Sequence, residues 1–177
     1  MKYILALLIF FLSISKLFSQ EPKRLVSTDS YVHIYSYTPI EDIEAFLNDG
    51  MAILDPEKRE LAYVLNIQSL TFKNALMQEH FNENYMESDI FPTSTFVGKV
   101  ISHKEDVANV EGKLTIHGES NIISVAGDLQ VNDNVASISA VKFSVKLKDY
   151  KIKVPRIVMY NIAEEIEIKV NIEMKKQ

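Results

Sequence analysis

Four histidines, His33, His80, His103 and His117, are the side chains of this sequence best suited to hold a metal or move protons near neutral pH. A metal site would need further histidines or carboxylates at ligand spacing in the same element, and the HExxH pattern of zinc enzymes is absent. His80 follows Glu79 directly, but adjacent residues of a helix point in different directions. We therefore predict that each histidine faces solvent or caps a turn, and that there is no metal site.

The sequence contains no nucleophile within a recognised motif for covalent catalysis. The chain has no cysteine, which removes thiol chemistry, disulfides and thiolate metal sites together. No serine lies in a GxSxG elbow, and the five glycines form no phosphate-binding loop. The glutamates from Glu165 to Glu173 alternate with apolar residues, so they share one solvated strand face rather than forming a catalytic pair. The sequence predicts no enzyme.

Alternation of apolar and polar residues is the pattern that runs through most of the chain, and it predicts β-strands. In residues 61–72 the alternation changes phase, which indicates a bulge or bend near Ser69. Short polar turns such as Asp49-Gly50 separate the segments, so we predict an antiparallel barrel or sandwich rather than a parallel α/β sheet. The predicted strands cover residues 31–37, 50–54, 61–72, 95–102, 109–117, 122–131, 141–147 and 166–174.

Two segments have helical features instead. Residues 39–47 follow Thr38 as a helix N-cap and begin with proline, and three acidic residues lie near their start. Residues 73–85 place Met77 and Phe81 at helical spacing on one apolar face. An amphipathic helix has to cover an apolar surface, and we expect the second helix to lie over the mouth of the barrel.

The N-terminal residues 1–19 have the pattern of a secretory signal peptide. A positive start at Lys2 precedes the apolar run 4–14, which is too short to span a membrane. An uncleaved anchor is the alternative. Cleavage after residue 19 would leave residues 20–177 as one domain and, by removing Lys2 and Lys16, would change the formal charge from -5 to -7. Such a surface repels phosphate backbones, so we expect no nucleic-acid partner.

Three segments carry a family resemblance: FKNALMQEHFNENYMESDIFPTSTFVGKV (72–100), VEGKLTIHGESNIISVAGDLQV (110–131) and VKFSVKLKDYKIKVP (141–155). They resemble the YceI-like family of exported lipid-binding proteins. The most specific pieces are the helix leading into FPTSTF, the strand and turn GKLTIHG, and DYKI. Many relatives carry an Arg-Asp pair where this chain has KNALM (73–77), so the resemblance does not specify how the polar end of a ligand is held.

The resemblance implies an all-β fold, a lipocalin-like antiparallel barrel of about eight strands with the amphipathic helix closing one end. It also implies that the lumen holds a long isoprenoid or similar amphiphile, with no other cofactor. By this analogy the ligand-binding residues are Leu65, Ile67, Phe72, Leu76, Met77, Phe81, Phe96, Leu114, Ile116, Phe143, Val145 and Leu147.

The function predicted from these observations is that of an exported protein, periplasmic or secreted, that carries or sequesters a long-chain lipid or isoprenoid. The first alternative is a structural or stress-associated module whose barrel is filled by its own side chains. The second is a lipid-modifying enzyme, which a cleft with strongly perturbed protonation would favour. A homodimer and a transient membrane contact are further partners that the sequence leaves open.

Overall fold

The computed structural model describes residues 23–38, 42–154 and 163–177. The predicted signal peptide, residues 1–19, lies outside these ranges. In the part of the chain that is described, no helix combines the length and the apolar character that crossing a membrane requires.

Within the described residues, ten strands form a single antiparallel sheet that closes on itself. They are β1 (Leu25–Ser36), β2 (Ile43–Leu47), β3 (Met51–Asp55), β4 (Glu60–Asn66), β5 (Thr71–Phe72), β6 (Thr93–Lys104), β7 (Val107–Ile116), β8 (Glu119–Val131), β9 (Val135–Lys146) and β10 (Glu165–Lys176). Eight of them follow one another around a barrel in the order β1-β3-β4-β6-β7-β8-β9-β10, and the pairing of β10 with β1 closes it. The predicted antiparallel barrel is therefore confirmed.

Two short strands, β2 and β5, continue the barrel strands β3 and β4 on the far side of an interruption. β2 and β3 both pair with β1 in one register, with Val32 opposite Leu47 and Leu25 opposite Leu54. β4 is followed by a 3-10 turn, Ile67–Ser69, after which β5 pairs with β2. This turn accounts for the change of phase in the sequence, so the bend predicted near Ser69 is confirmed.

The helix predicted for residues 39–47 is wrong over its described part, because Ile43–Leu47 is strand β2. Residues 39–41 lie outside the described ranges. Ala45 and Leu47 are buried with 0% and 1% exposure, and the alternating residues Glu44 and Phe46 are more exposed, as in a strand. β1 on one edge and β5 on the other satisfy the backbone, and this pairing outweighs the local helix signals.

The helix α1 (Ala75–His80) begins two residues later than predicted because Asn74 caps it. Asn74 Oδ1 accepts hydrogen bonds from the N–H groups of Leu76 and Met77 at 2.9 and 3.4 Å. These are donors that the first turn of a helix leaves without a partner. The helix continues as a π-helical turn, Phe81–Tyr85, so the predicted amphipathic helix is otherwise confirmed.

Gln78 ties α1 to the neighbouring strand end. Its Nε2 donates to the carbonyl of Leu70 at 2.8 Å, and its Oε1 accepts from the N–H of Phe72 at 3.0 Å. The Phe72 ring packs against Phe81 with a centroid distance of 4.8 Å. These contacts hold the helix over the barrel end at which β1 and β9 finish and β10 starts.

The opposite end of the barrel is filled by side chains, and we call this cluster the plug. Its most deeply buried large members, Leu25, Leu54 and Met174, are 1%, 2% and 1% exposed. Burying a side chain of this size contributes about 1.5–3 kcal/mol. The plug is therefore a packed core at this end that holds β1, β3 and β10 together, and Leu54 also borders the main cavity described below.

Candidate functional site: an apolar lumen

Between the plug and α1 the barrel encloses an apolar space, the main cavity. It offers about 120 Å³ of room to the centres of water-sized molecules, and about 970 Å³ of atom-free space when its opening to solvent is included. One water molecule needs about 10–15 Å³ of the first kind, so this space is far larger than a packing defect. All eight barrel strands contribute to its wall.

A second space, the helix cavity, lies beneath α1. It offers about 100 Å³ to the centres of water-sized molecules and about 590 Å³ of atom-free space including its opening. Met77, Phe81 and Tyr85 form its helical side, and Ile34 and Ile166 belong to its barrel side. The amphipathic helix thus covers an apolar space at the barrel mouth, as its sequence predicted.

The two cavities lie in line along the barrel. β1 contributes Val32 to the main cavity and Ile34, the next inward residue, to the helix cavity. β10 does the same with Ile168 and Ile166. Because inward residues alternate along a strand, the second space continues where the first ends. Phe81 packs against both buried clusters at this end of the barrel.

Two hydroxyl groups in the wall of the main cavity, those of Tyr63 and Ser94, are hydrogen-bonded within the protein. The hydroxyls of Tyr63 and Ser30 lie 2.7 Å apart, and burial raises the pKa of Tyr63, so this phenol stays neutral at physiological pH. Ser94 donates its hydroxyl hydrogen bond to the carbonyl of Thr115 at 2.9 Å. Asp128 is the one carboxylate among the residues described in the wall. A buried water needs two to four polar partners, so this wall favours an apolar occupant over water.

The residues predicted to bind a ligand fall into four groups. Leu65, Phe96, Leu114, Ile116 and Phe143 line the main cavity. Phe72, Met77, Phe81 and Leu147 line the helix cavity. Ile67 and Val145 are buried in the packed cluster at this end of the barrel. Leu76 is 58% exposed on the outside of α1, because the 100° step of a helix turns it away from the face that carries Met77. For all twelve, contact with a ligand stays a prediction.

Sequence reasoning missed a group of aliphatic residues in the wall of the main cavity, although most lie in strands that it predicted. The alternation itself would have found them, because they occupy the same face as the residues that were chosen. Ile138 was out of reach, since the first half of β9 was not predicted as a strand. The missed wall residues include Val32, Val110, Ile123, Val125, Val141, Ile168 and Val170.

His33 and His117 do not face solvent, which was one of the two placements predicted for each histidine; His117 lies in the turn after β7, and its Nδ1 is 3.3 Å from the carbonyl oxygen of Tyr150. The side chains of His33 and His117 are 14% and 10% exposed, and each Nε2 lies near a carboxylate, Glu44 at 3.3 Å and Glu87 at 2.9 Å. A phenylalanine ring packs against each imidazole, at centroid distances of 4.8 and 4.4 Å, and this covers the ring. Neither histidine lines a cavity, and the described residues contain no group of three or more side chains placed to hold a metal ion.

Comparison with known proteins identifies relatives of this barrel. Residues 33–174 match the YceI-like domain. BcnA of Burkholderia cenocepacia superposes with a TM-score of 0.70 at 18% identity, covering 81% of this chain and 95% of its own. A polyisoprenoid-binding domain from Saccharophagus degradans gives a TM-score of 0.74 at 11% identity, covering 89% and 100%. The YCEI protein of Campylobacter jejuni gives 0.65 at 18% identity, covering 80% and 89%. No curated protein matches the chain.

Proposed function

The chain belongs to the YceI-like domain family, and we propose that it binds a long-chain isoprenoid or similar lipid in its lumen without transforming it. The main cavity is the observation that carries this proposal, because its wall is largely apolar and the hydroxyls of Tyr63 and Ser94 are bonded within the protein. A similar structure is named as a polyisoprenoid-binding domain, which supports the choice of ligand class. The space also argues against a barrel filled by its own side chains.

Energetics favour carriage or storage of such a ligand. Removing one five-carbon isoprene unit from water gains about 4 kcal/mol, at about 0.8 kcal/mol per carbon. Eight units would give about 30 kcal/mol, which exceeds the ceiling of about 18–21 kcal/mol for non-covalent binding. The relevant exchange is therefore with a bilayer, in which the chain is already out of water. Transfer from one apolar environment to the other is nearly neutral, so the shape of the lumen decides which chain is held.

Export is part of the proposal. The apolar segment 4–14 behind Lys2 supports a signal peptide, and proteins of this family are in general periplasmic. A lipid crossing an aqueous compartment needs a protein that shields its chain from water. We place the protein in the periplasm or outside the cell.

The direct test starts from folded protein purified from the exported fraction of the cells. One portion is extracted with organic solvent to recover any bound lipid, and a second portion is weighed intact by native mass spectrometry. We expect an apolar molecule that accompanies the folded protein and is released when the protein unfolds. Protein that is consistently empty, and that also fails to take up an added isoprenoid such as all-trans-retinol, would overturn the proposal.

A matched pair of variants locates the binding site. Val110 and Val107 lie on β7, but Val110 lines the main cavity and Val107 is 48% exposed on the outside. Val110→Phe should fill the lumen and weaken retinol binding, measured by the rise in retinol fluorescence. Val107→Phe adds the same ring outside the barrel and should leave binding unchanged. Equal binding by both variants would show that the ligand lies elsewhere.

A further inference from the structure

β8 and β9 are paired with each other along less than half of their length. Four residue pairs, from Asp128 with Ser139 to Val131 with Ala136, join these strands of 13 and 12 residues. The other edges of both strands are well paired, β8 with β7 and β9 with β10, at ten positions each. The facing edges of residues 119–127 and 140–146 therefore form an unpaired stretch of the barrel wall, which we call the β8–β9 slot.

Most side chains that point inward along the slot border the main cavity. Ile123 and Val125 on β8, and Val141 and Phe143 on β9, are half-buried and belong to its wall. Val145 on β9, further along the slot, is buried in the packed cluster. The unpaired edges of β8 and β9 therefore border the main cavity directly.

A β-bulge in β9 produces the slot. Ala140 has a left-handed backbone with φ of 54°, and its N–H donates to Asn171 Oδ1 of β10 at 3.3 Å. Next to it Val141 packs directly on Gly127 of β8, where a Cβ atom would overlap the valine side chain. A bulge bends its strand and increases the local twist. β9 thus passes close over Gly127 and then leaves the register of β8.

The slot has two fixed ends. At one end the four residue pairs close the seam, and at the other β8 is joined to the 3-10 turn after β9 (Leu147–Tyr150). There Asn121 Nδ2 donates to the carbonyl of Asp149 at 2.8 Å, and Lys151 Nζ lies 2.7 Å from Glu119 Oε1. Because both ends are held, the gap is a bounded window in the wall and not the fraying of a strand end.

We propose that the β8–β9 slot is the mouth through which an apolar chain enters and leaves the main cavity. This inference rests on the proposed function. A chain that came in through either end of the barrel would have to displace the plug or α1. At the slot the strand edges are already unpaired, so they separate without losing the ladder hydrogen bonds that stabilise a paired seam. The lipid therefore moves sideways between the strands while α1 stays in place.

The test closes the slot with a short bis-maleimide cross-link. The chain has no cysteine, so Ser124→Cys with Ser144→Cys introduces the only two thiols. Counted from the approach of Gly127 to Val141, these two positions face each other across the slot, and both are exposed. Stopped-flow fluorescence with all-trans-retinol then gives the association and dissociation rates. We expect both rates to fall at least about tenfold on cross-linking, with a much smaller change in affinity.

Two matched controls separate the slot from other routes. Gln130→Cys with Ser137→Cys joins the same two strands where they are already paired, and its cross-link should leave the rates unchanged. Lys73→Cys with Glu44→Cys replaces an ion pair of 3.1 Å and ties the start of the helical region to β2. Its cross-link should also leave the rates unchanged. If only this helix-side cross-link slowed retinol association and dissociation, the slot would not be the mouth. The end of the barrel that α1 covers would then be the route of entry.

The remaining outcomes distinguish the inference from the function on which it rests. If uncross-linked protein is purified empty and takes up no retinol, the proposed function fails and the mouth fails with it. If retinol binds and the slot cross-link leaves the rates unchanged, the mouth alone is wrong. Hydrogen exchange without ligand adds a direct check, because amides on the slot edges should exchange faster than those at the β7–β8 seam. Equal protection at both seams would contradict an open slot.

Discussion

Truncation of Phe143 should cost little stability and much binding, and truncation of Leu25 should do the reverse. Phe→Ala in a packed core costs about 3–5 kcal/mol, and Leu→Ala about 2–5 kcal/mol. Phe143 is half-buried and borders the main cavity, so it has packing partners on one side only. We expect Phe143→Ala to lower the free energy of unfolding by about half the core value, about 2 kcal/mol. Leu25 is 1% exposed in the plug, and Leu25→Ala should lower it by about 3–4 kcal/mol.

Urea unfolding and retinol titration measure the two effects on the same proteins. Phe143→Ala should raise the dissociation constant of retinol about tenfold, which corresponds to about 1.4 kcal/mol of lost contact with the ligand. Leu25→Ala should leave it unchanged under conditions in which the variant stays folded. The comparison is stringent because the phenylalanine loses twice as many carbon atoms as the leucine.

The opposite result would refute the reasoning. If Phe143→Ala costs more stability than Leu25→Ala and leaves retinol binding intact, then Phe143 is ordinary core and the space beside it holds no ligand. The barrel would then have to be regarded as a scaffold stabilised by its own packing.

Three further predictions concern the elements around the lumen. Gly127→Ala should lower the free energy of unfolding by about 1–3 kcal/mol because its Cβ would overlap Val141, and adding Val141→Ala should restore much of the loss in urea unfolding. Ala140→Gly should raise the free energy of unfolding by about 1 kcal/mol by relieving a left-handed backbone; no gain would show that the bulge is unstrained. Hydrogen bonding to Asp42, at 2.7 Å, raises the pKa of Tyr35 to about 12. The folded form holds that proton more tightly, so this stabilisation is complete below pH 10 and is lost as the pH rises towards 12; Asp42→Asn should return the phenol to titration near pH 10 in ultraviolet absorbance.

The strands could be predicted because each has one wet and one buried face. Ile166 to Met174 alternates without interruption, and the prediction of β10 differs from the structure by one residue at its start and two at its end. β2 was mistaken for a helix because its five residues are too short for alternation to outweigh the acidic, proline-led start in front of them. Its strand conformation depends on β1 and β5, partners that no local pattern identifies.

The candidate site was less predictable than the fold. A residue such as Val145 points inward like Phe143, yet it packs in a cluster while Phe143 borders open space. Alternation assigns a residue to the inner face and says nothing about what lies opposite. The size of the lumen depends on how all eight strands are staggered, which is a property of the closed barrel. The slot is equally hidden, since it depends on the single bulge at Ala140.

Leaving the seam between β8 and β9 unpaired carries a risk of aggregation, and this risk supports a functional role for the slot. Unpaired strand edges are sites of aggregation, and proteins protect them with charge, with bulges and by keeping them short. In the β8–β9 slot the bulge bends β9, and exposed Lys142 and Lys146 lie along its outer side. Complete pairing of β8 with β9 would remove the risk of aggregation without needing charges or a bulge. The neighbouring seam between β7 and β8 is paired in this way, at ten positions. Stability alone would favour a fully paired seam. An unpaired seam is useful to a barrel that has to admit an apolar chain without displacing the plug or α1.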